Sequence, residues 1–299
     1  MTVAVLASPE DALSLNKILT SLSRVGVDTY GLKLHSTWAS LNRDSLIARL
    51  EKASHFIAIA TASSLSSSWF SFVTGYGYNR GSTFALYRFD PDLAIPHYLS
   101  SLPVMDSLDE LEAYYQAEMT SWLVQDERRA SRSALLEMGI SVHNDSLSQC
   151  ARDGDTKAVE LFIKAGFPPD ARDKYGVPLL CLAARGKHRA VAEILLDRGA
   201  AINLQSEDRG YSPLMDAAQA GATDLVGLFL ERGADADLTS KDGQTALVVA
   251  VGRNDSEVAR LLVGGGADPD LPDKLGLIAR KYAALFKNPS ILALFEARE

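Results

Sequence analysis

Gly210-Tyr211-Ser212-Pro213-Leu214, then Ala217-Ala218, then Gly233-Ala234-Asp235-Ala236-Asp237 is the stretch that decides the fold of this chain. Each of its parts recurs. One glycine series runs Gly166, Gly199, Gly233, Gly266, at intervals of 33, 34 and 33 residues. A second runs Gly176, Gly210, Gly243, Gly276, at intervals of 34, 33 and 33. Two independent registers with one period mark internal repetition. Ala158, Val191, Leu225 and Val258 share one slot between them. Leu161/Phe162, Ile194/Leu195, Leu228/Phe229 and Leu261/Leu262 share the next. That spacing predicts one apolar helix face just before the glycine that ends the helix. Another helix opens after each glycine of the second series, as at Ser212-Pro213-Leu214-Met215 and Thr245-Ala246-Leu247-Val248. Proline suits a helix start, where its missing N–H would be unpaired anyway. Ala183, Ala217, Ala250 and Ala283 recur as small residues where two helices approach.

These segments resemble the ankyrin family across residues 144–299, which implies a helical solenoid of four to five units. Cys181, Met215 and Val248 stand where the family's helix-opening corner usually carries histidine, and Ile278-Ala279-Arg280-Lys281 barely keeps that corner. A terminal unit with a polar outer face is expected of such a stack. Leu135-Leu136-Glu137-Met138-Gly139 reads as half a repeat serving as an N-terminal cap. The resemblance implies a protein partner, bound by finger loops and the concave helix face. Tyr175, Arg209, Tyr211, Lys241, Gln244 and Lys274 fall at the finger tips. Arg209 and Tyr211 flank Gly210 on the one finger lengthened by a residue. They are expected to form a binding hot spot whose loss leaves stability nearly unchanged.

Residues 1–105 alternate short apolar runs with helical patterns. Strands are expected at Val3–Ala7, Thr29–Leu34, Phe56–Thr61 and Phe84–Arg88, and helices at Pro9–Val25, Arg43–Ala53 and Ser68–Tyr78. Alternation of this kind argues for βαβ units and a parallel sheet. Over residues 106–143, Leu111, Tyr115, Met119 and Trp122 form one helical stripe expected to pack on that sheet. Gln125–Arg132 is polar nearly all round and reads as a solvated helical bridge.

Val3-Ala4-Val5-Leu6-Ala7-Ser8, Ile57–Ser63 and Ser68-Trp69-Phe70 resemble the TIR family, which implies a flavodoxin-like domain. Nucleoside deoxyribosyltransferases are a second resemblance. The enzymatic members of both carry a glutamate that supports an oxocarbenium-like transition state. Valine occupies that place here, at Val73, and no catalytic residue is assigned. The resemblance then implies self-association, or binding of a nucleotide without cleavage. The alternative is an NAD or nucleoside glycohydrolase, regulated by the repeats, with a carboxylate from Glu10 or Asp11. Ser8, Ser63, Ser64, Ser68 and Trp69 are the candidate ligand-binding residues. A strand end meeting a helix start is where open α/β sheets hold phosphates. A capped loop is the other reading of the serine cluster. Gly75 to Gly81 reads as capping glycines at a helix end. The loop from Lys33 to Leu41 lacks the glycine usual in TIR domains.

Both halves are acidic, with 11 basic against 15 acidic residues in 1–142 and 19 against 23 in the rest. That disfavours a nucleic-acid grip built on phosphate neutralisation. No apolar run reaches the roughly 20 residues needed to span a bilayer. Met1–Leu6 lacks a basic signal region, so a cytoplasmic signalling scaffold with no membrane role is expected. Cys150 and Cys181 read as buried thiols of a reduced compartment. His35, His55, His97, His143 and His188 are scattered, so no metal is expected. His55 and His143 read as surface or capping residues.

Overall fold

A computed structural model describes residues 1–34 and 43–296; the readings of His35 and of the loop 35–41 lie outside them. The chain forms two compact units, Met1–Asp126 and Glu127–Glu299.

The first unit holds β1 (Thr2–Ala7), β2 (Asp28–Lys33), β3 (His55–Ala60), β4 (Thr83–Arg88) and β5 (Val104–Met105). They form one parallel sheet in the order β2-β1-β3-β4-β5. The helices are α1 (Ala12–Arg24), α2 (Arg43–Leu50), α3 (Ala62–Leu65), α4 (Ser68–Asn79) and α5 (Leu108–Glu137). A period of two sends Ala4, Leu6, Phe56, Ala58 and Leu86 to one face, covered by Leu46, Leu50, Trp69, Phe70 and Val73 of α2 and α4. Val3, Val5, Ile57, Ile59 and Tyr87 take the other, against Leu15, Ile18 and Leu22 of α1 and Leu111 and Tyr115 of α5. β3 is buried along its whole length, as a strand covered on both faces must be.

The division between units falls inside α5, within the segment 106–143 expected to connect them and to cap the repeats. Leu111 and Tyr115 belong to the sheet's core and Leu135 to the repeats' core. Of the run 125–132, Asp126 is half-buried, Ser131 is buried and the rest are exposed. Gly75 and Gly77 are not caps; both lie within α4, where a Cβ on Gly77 would sit 3.3 Å from the Phe84 ring. Gly81, at φ +69°, lies two residues beyond the helix end.

The second unit stacks five helix pairs: α6 (Asn144–Asp153) with α7 (Thr156–Lys164), α8 (Leu179–Gly186) with α9 (Arg189–Asp197), α10 (Pro213–Ala220) with α11 (Thr223–Glu231), α12 (Ala246–Gly252) with α13 (Ser256–Gly264), and α14 (Ala279–Phe286) with α15 (Pro289–Glu296). First helices pack on first helices and second on second, giving two layers. Ala183, Ala217, Ala250 and Ala283 are fully buried between them, as the close approach demands. One continuous core runs from Leu135 to Phe295, and Cys150 and Cys181 are buried free thiols within it.

The first glycine series closes the second helices. At each of Gly166, Gly199, Gly233 and Gly266 φ is positive, and the next residue's N–H returns to a carbonyl five back, as in Ala200 N to Leu195 O at 2.9 Å. The end of α5 repeats the device: Gly139 has φ +75° and Ile140 N donates to Leu135 O at 2.9 Å. A third series escaped the sequence reading. Gly154, Lys187, Gly221, Asn254 and Lys287 end or follow the first helices, all left-handed. Only two of the five are glycine, so the pattern is invisible to a search for glycine.

Candidate functional site

The fingers between repeats are built on a polar residue ahead of each glycine of the second series. Asp173 Oδ1 accepts the N–H groups of Tyr175 and Val177, both at 2.9 Å. Ser206, Ser240 and Asp273 do the same work in the following fingers. Their side chains are buried, so each finger base is closed by satisfied backbone donors rather than by water. Adjacent fingers are then joined: Glu207 N to Gly176 O at 3.1 Å, Lys241 N to Arg209 O at 3.0 Å and Lys274 N to Asp242 O at 3.0 Å. A Cβ at Gly210 or Gly243 would lie 2.8 Å from the next finger's amide nitrogen, which explains glycine there beyond its positive φ.

Of the residues expected at finger tips, Tyr175 is 63% exposed, and Arg209, Lys241 and Lys274 are exposed too. Gln244 is half-buried and accepts from the Tyr211 hydroxyl at 3.3 Å. Tyr211 is not a tip residue. It is 8% exposed and belongs to the repeat core, so its loss is expected to cost stability rather than to spare it. The Arg209 guanidinium covers its ring at 4.4 Å from the centroid, a cation–π contact. The extra residue makes this finger close through Gly210 N to Ser206 O, four residues back, where the other fingers close over three. The added length brings Asp208 onto Arg185.

A charge network hangs on that finger. Arg185 meets Asp208 through both nitrogens of its fork, at 2.8 and 3.1 Å. Its Nε lies 3.0 Å from Asp216 Oδ1, and Arg209 reaches the same oxygen at 2.9 Å. Asp216 is 1% exposed. Burial outweighs its two cations and pushes its carboxyl up to about 6. The Arg185 fork holds Asp208 well below the usual carboxylate range. No sequence pattern signalled Asp216: an aspartate on the first turn of a helix reads as a surface residue.

The last repeat closes differently. Asp170 Oδ1, Asn203 Oδ1 and Asp237 Oδ1 each accept an amide from the next repeat. Asp270, the next in that series, instead pairs with Arg280 at 2.9 Å, which also donates to Phe295 O. Its surface carries exposed apolar residues beside polar ones. Leu275, Leu285 and Phe286 are 79, 67 and 49% exposed. Leu285 holds the register of Arg185, on the first-helix layer rather than on the stack's end.

In the first unit the strand order reverses between β1 and β3, the position where such sheets open a crevice at their C-terminal ends. Ser8 follows β1 there, 7% exposed, and its Oγ has no hydrogen-bond partner among the described residues; neither has Asp11 Oδ2. Ser63 and Ser68 are exposed. Ser64 is buried and forms a capping box with Thr61: its Oγ accepts Thr61 N at 2.8 Å and donates to Ile59 O at 2.8 Å. Trp69 packs into the core against Phe70, and Val73 is fully buried beside them. His143 caps α6 by accepting Ser146 N. His55 is no surface residue: the parity of β3 turns it toward α5, where it is 3% exposed between Ser54 Oγ (2.8 Å) and Glu118 Oε1 (3.2 Å). Burial lowers its pKa, against the pull of Glu118. Among the described residues, no cluster of three or more His, Cys, Asp or Glu is placed to hold a metal ion, and no helix is long and apolar enough to cross a membrane.

The family model described as ankyrin repeats (3 copies) matches over residues 147–240 and again over 214–297. A putative ankyrin repeat-containing protein of Treponema pallidum is 35% identical over 248 residues, covering 83% of each chain. That alignment is longer than the repeats, so it reaches into the first unit. The nuclear factor NF-kappa-B p105 subunit of Gallus gallus is 30% identical over 145 residues, 45% of this chain but 15% of that protein. The B-cell lymphoma 3 protein homolog of Mus musculus is 33% identical over 114 residues, 37% of this chain and 25% of its own length. Repeat period, finger architecture and these matches agree that the chain belongs to the ankyrin-repeat family.

Proposed function

We propose that the chain is a cytoplasmic signalling adaptor whose repeats bind a protein partner through the fingers and the concave helix face. One observation carries this reading: the apolar faces of the repeats are buried against one another, while Tyr175, Arg209, Lys241 and Lys274 remain exposed on fingers joined edge to edge. Surface tyrosines and arginines on a rigid scaffold are the residue types that dominate interface energies. The test uses a partner isolated with the full chain. Tyr175→Ala with Lys274→Ala is expected to weaken that complex at least tenfold, whereas Lys157→Ala on α7 leaves it unchanged. Equal affinity for all three proteins refutes the finger assignment.

The first unit fits a TIR-like domain: its strand order is the flavodoxin-like 2-1-3-4-5, and its role in this reading is self-association. A second reading, a nucleotide held without turnover, is favoured by the unpartnered oxygens of Ser8 and Asp11 at the end of β1. Val73 offers no carboxylate. NAD is then expected to raise the melting temperature by mass action without release of nicotinamide. No shift with NAD or any other nucleotide tried removes this second reading.

A further inference from the structure

We propose that the groove between α6, α8 and the first two fingers takes an acidic linear segment of the partner, an inference that rests on the protein-binding reading above. Two adjoining cavities of about 500 and 180 Å³ share Arg152, Asp173 and Tyr175, and so form one open trough. Its hydrogen-bond donors are underused. Arg152 touches Asp173 Oδ2 with Nη2 at 3.0 Å, while its Nη1 meets only Gln149 Oε1 at 3.5 Å. Lys174 stands over the Tyr175 ring at 5.1 Å and has no ion pair among the described residues. Ser148 lines the trough, is 3% exposed, and its Oγ has no partner among the described residues.

The acceptors are in the opposite condition. Asp173 uses Oδ1 on two backbone N–H groups and Oδ2 on Arg152. Asp208 uses both oxygens on Arg185. Of the three carboxylates lining the trough, Asp145 on the rim is the one with no partner among the described residues. A trough with free donors and engaged acceptors recognises a ligand rich in acceptors, and a carboxylate on a guanidinium edge is the strongest such pair. The chain is net acidic, so its field does not steer an acidic partner from afar; attraction acts at contact distance, inside a Debye length. The open, elongated shape fits an extended peptide, with Tyr175 against its side chains.

The experiment pans a randomised peptide library on the full chain, then measures anisotropy of a labelled glutamate–serine peptide and its glutamine-for-glutamate twin. Glutamate- and aspartate-rich sequences are expected from the library, with the glutamate peptide binding about tenfold tighter than its twin. Arg152→Gln and, separately, Lys174→Gln should each remove most of that advantage. Lys174 is exposed, so its variant stays informative even if Arg152→Gln loosens the first finger. Enrichment of basic or apolar sequences, or an acidic preference untouched by either substitution, overturns the acidic-segment proposal. If peptides of that other kind still lose affinity on Tyr175→Ala, the finger reading survives. If they do not, it falls as well.

Discussion

The two units organise buried charge in opposite ways. In the sheet unit, His55 sits in the core edge as a neutral ring, satisfied by Ser54 and Glu118. In the repeat unit, Asp216 on the first turn of α10 is buried under Arg185 of α8 and Arg209 of the lengthened finger. One is a base that burial discourages from gaining a proton; the other is an acid that burial discourages from losing one. The sheet hides its polar group where strand parity happens to place it. The repeats hide theirs where two first helices meet the base of a finger, so that recognition surface and folding core share residues.

Tyr211 shows how tightly that sharing is drawn. Tyr211→Ala should cost the repeat unit about 3 kcal/mol or more, the scale of a large aromatic truncated in a core, while hydrogen exchange in β1 and β3 stays unchanged. Exchange in α8 to α12 no faster than in the parent would place this residue back on the binding surface.

Acidity separates the units next. A buried histidine with lowered pKa withdraws stability as pH falls below 6.5, because only the unfolded chain takes up the proton. Asp216 acts in the other direction. Its folded carboxyl at about 6 against 3.8 contributes stability that is complete below 3.8 and lost as pH rises through 6. That difference is on the order of 2–3 kcal/mol. Between pH 7 and pH 5, exchange corrected for its intrinsic rate should therefore quicken in the sheet unit and slow in the repeats. Asp216→Asn should flatten the repeat trend alone. Parallel trends in both units contradict the contrast.

The smallest effect concerns the left-handed residue after α8. Lys187, exposed at φ +61°, is strained where the corresponding positions after α6 and α10 carry glycine. Lys187→Gly should stabilise the repeats by roughly 0.5 kcal/mol, the strain relieved less the entropy glycine adds to the unfolded chain. Destabilisation would mean that its side chain makes contacts that outweigh the strain.

Much of this was legible in the residues and some was not, for physical reasons. Apolar runs located four strands within a residue or so at each end, but β5, only two residues long, carries too little pattern. Glycine spacing gave the repeat because positive φ demands glycine at most of those points. Where lysine or asparagine tolerates the same backbone, as at Lys187 and Asn254, the series vanished. Asp173, Ser206, Ser240 and Asp273 looked like ordinary loop polarity, since a buried Asx turn and a solvated one use the same letters. Tyr211 and His55 depart from expectation for one reason: each is enclosed by residues distant in sequence, among them Gln244 on the hydroxyl of the first and Glu118 on the ring of the second.

The most direct measurement is hydrogen exchange across the full chain, alone and saturated with an isolated protein partner. Protection should appear in the fingers around Gly176, Gly210, Gly243 and Gly276 and along the first helices of the repeats. The second helices, α7, α9, α11 and α13, should be unaffected. Protection confined to those second helices, or to the sheet unit, would contradict partner binding by the finger face of the repeats.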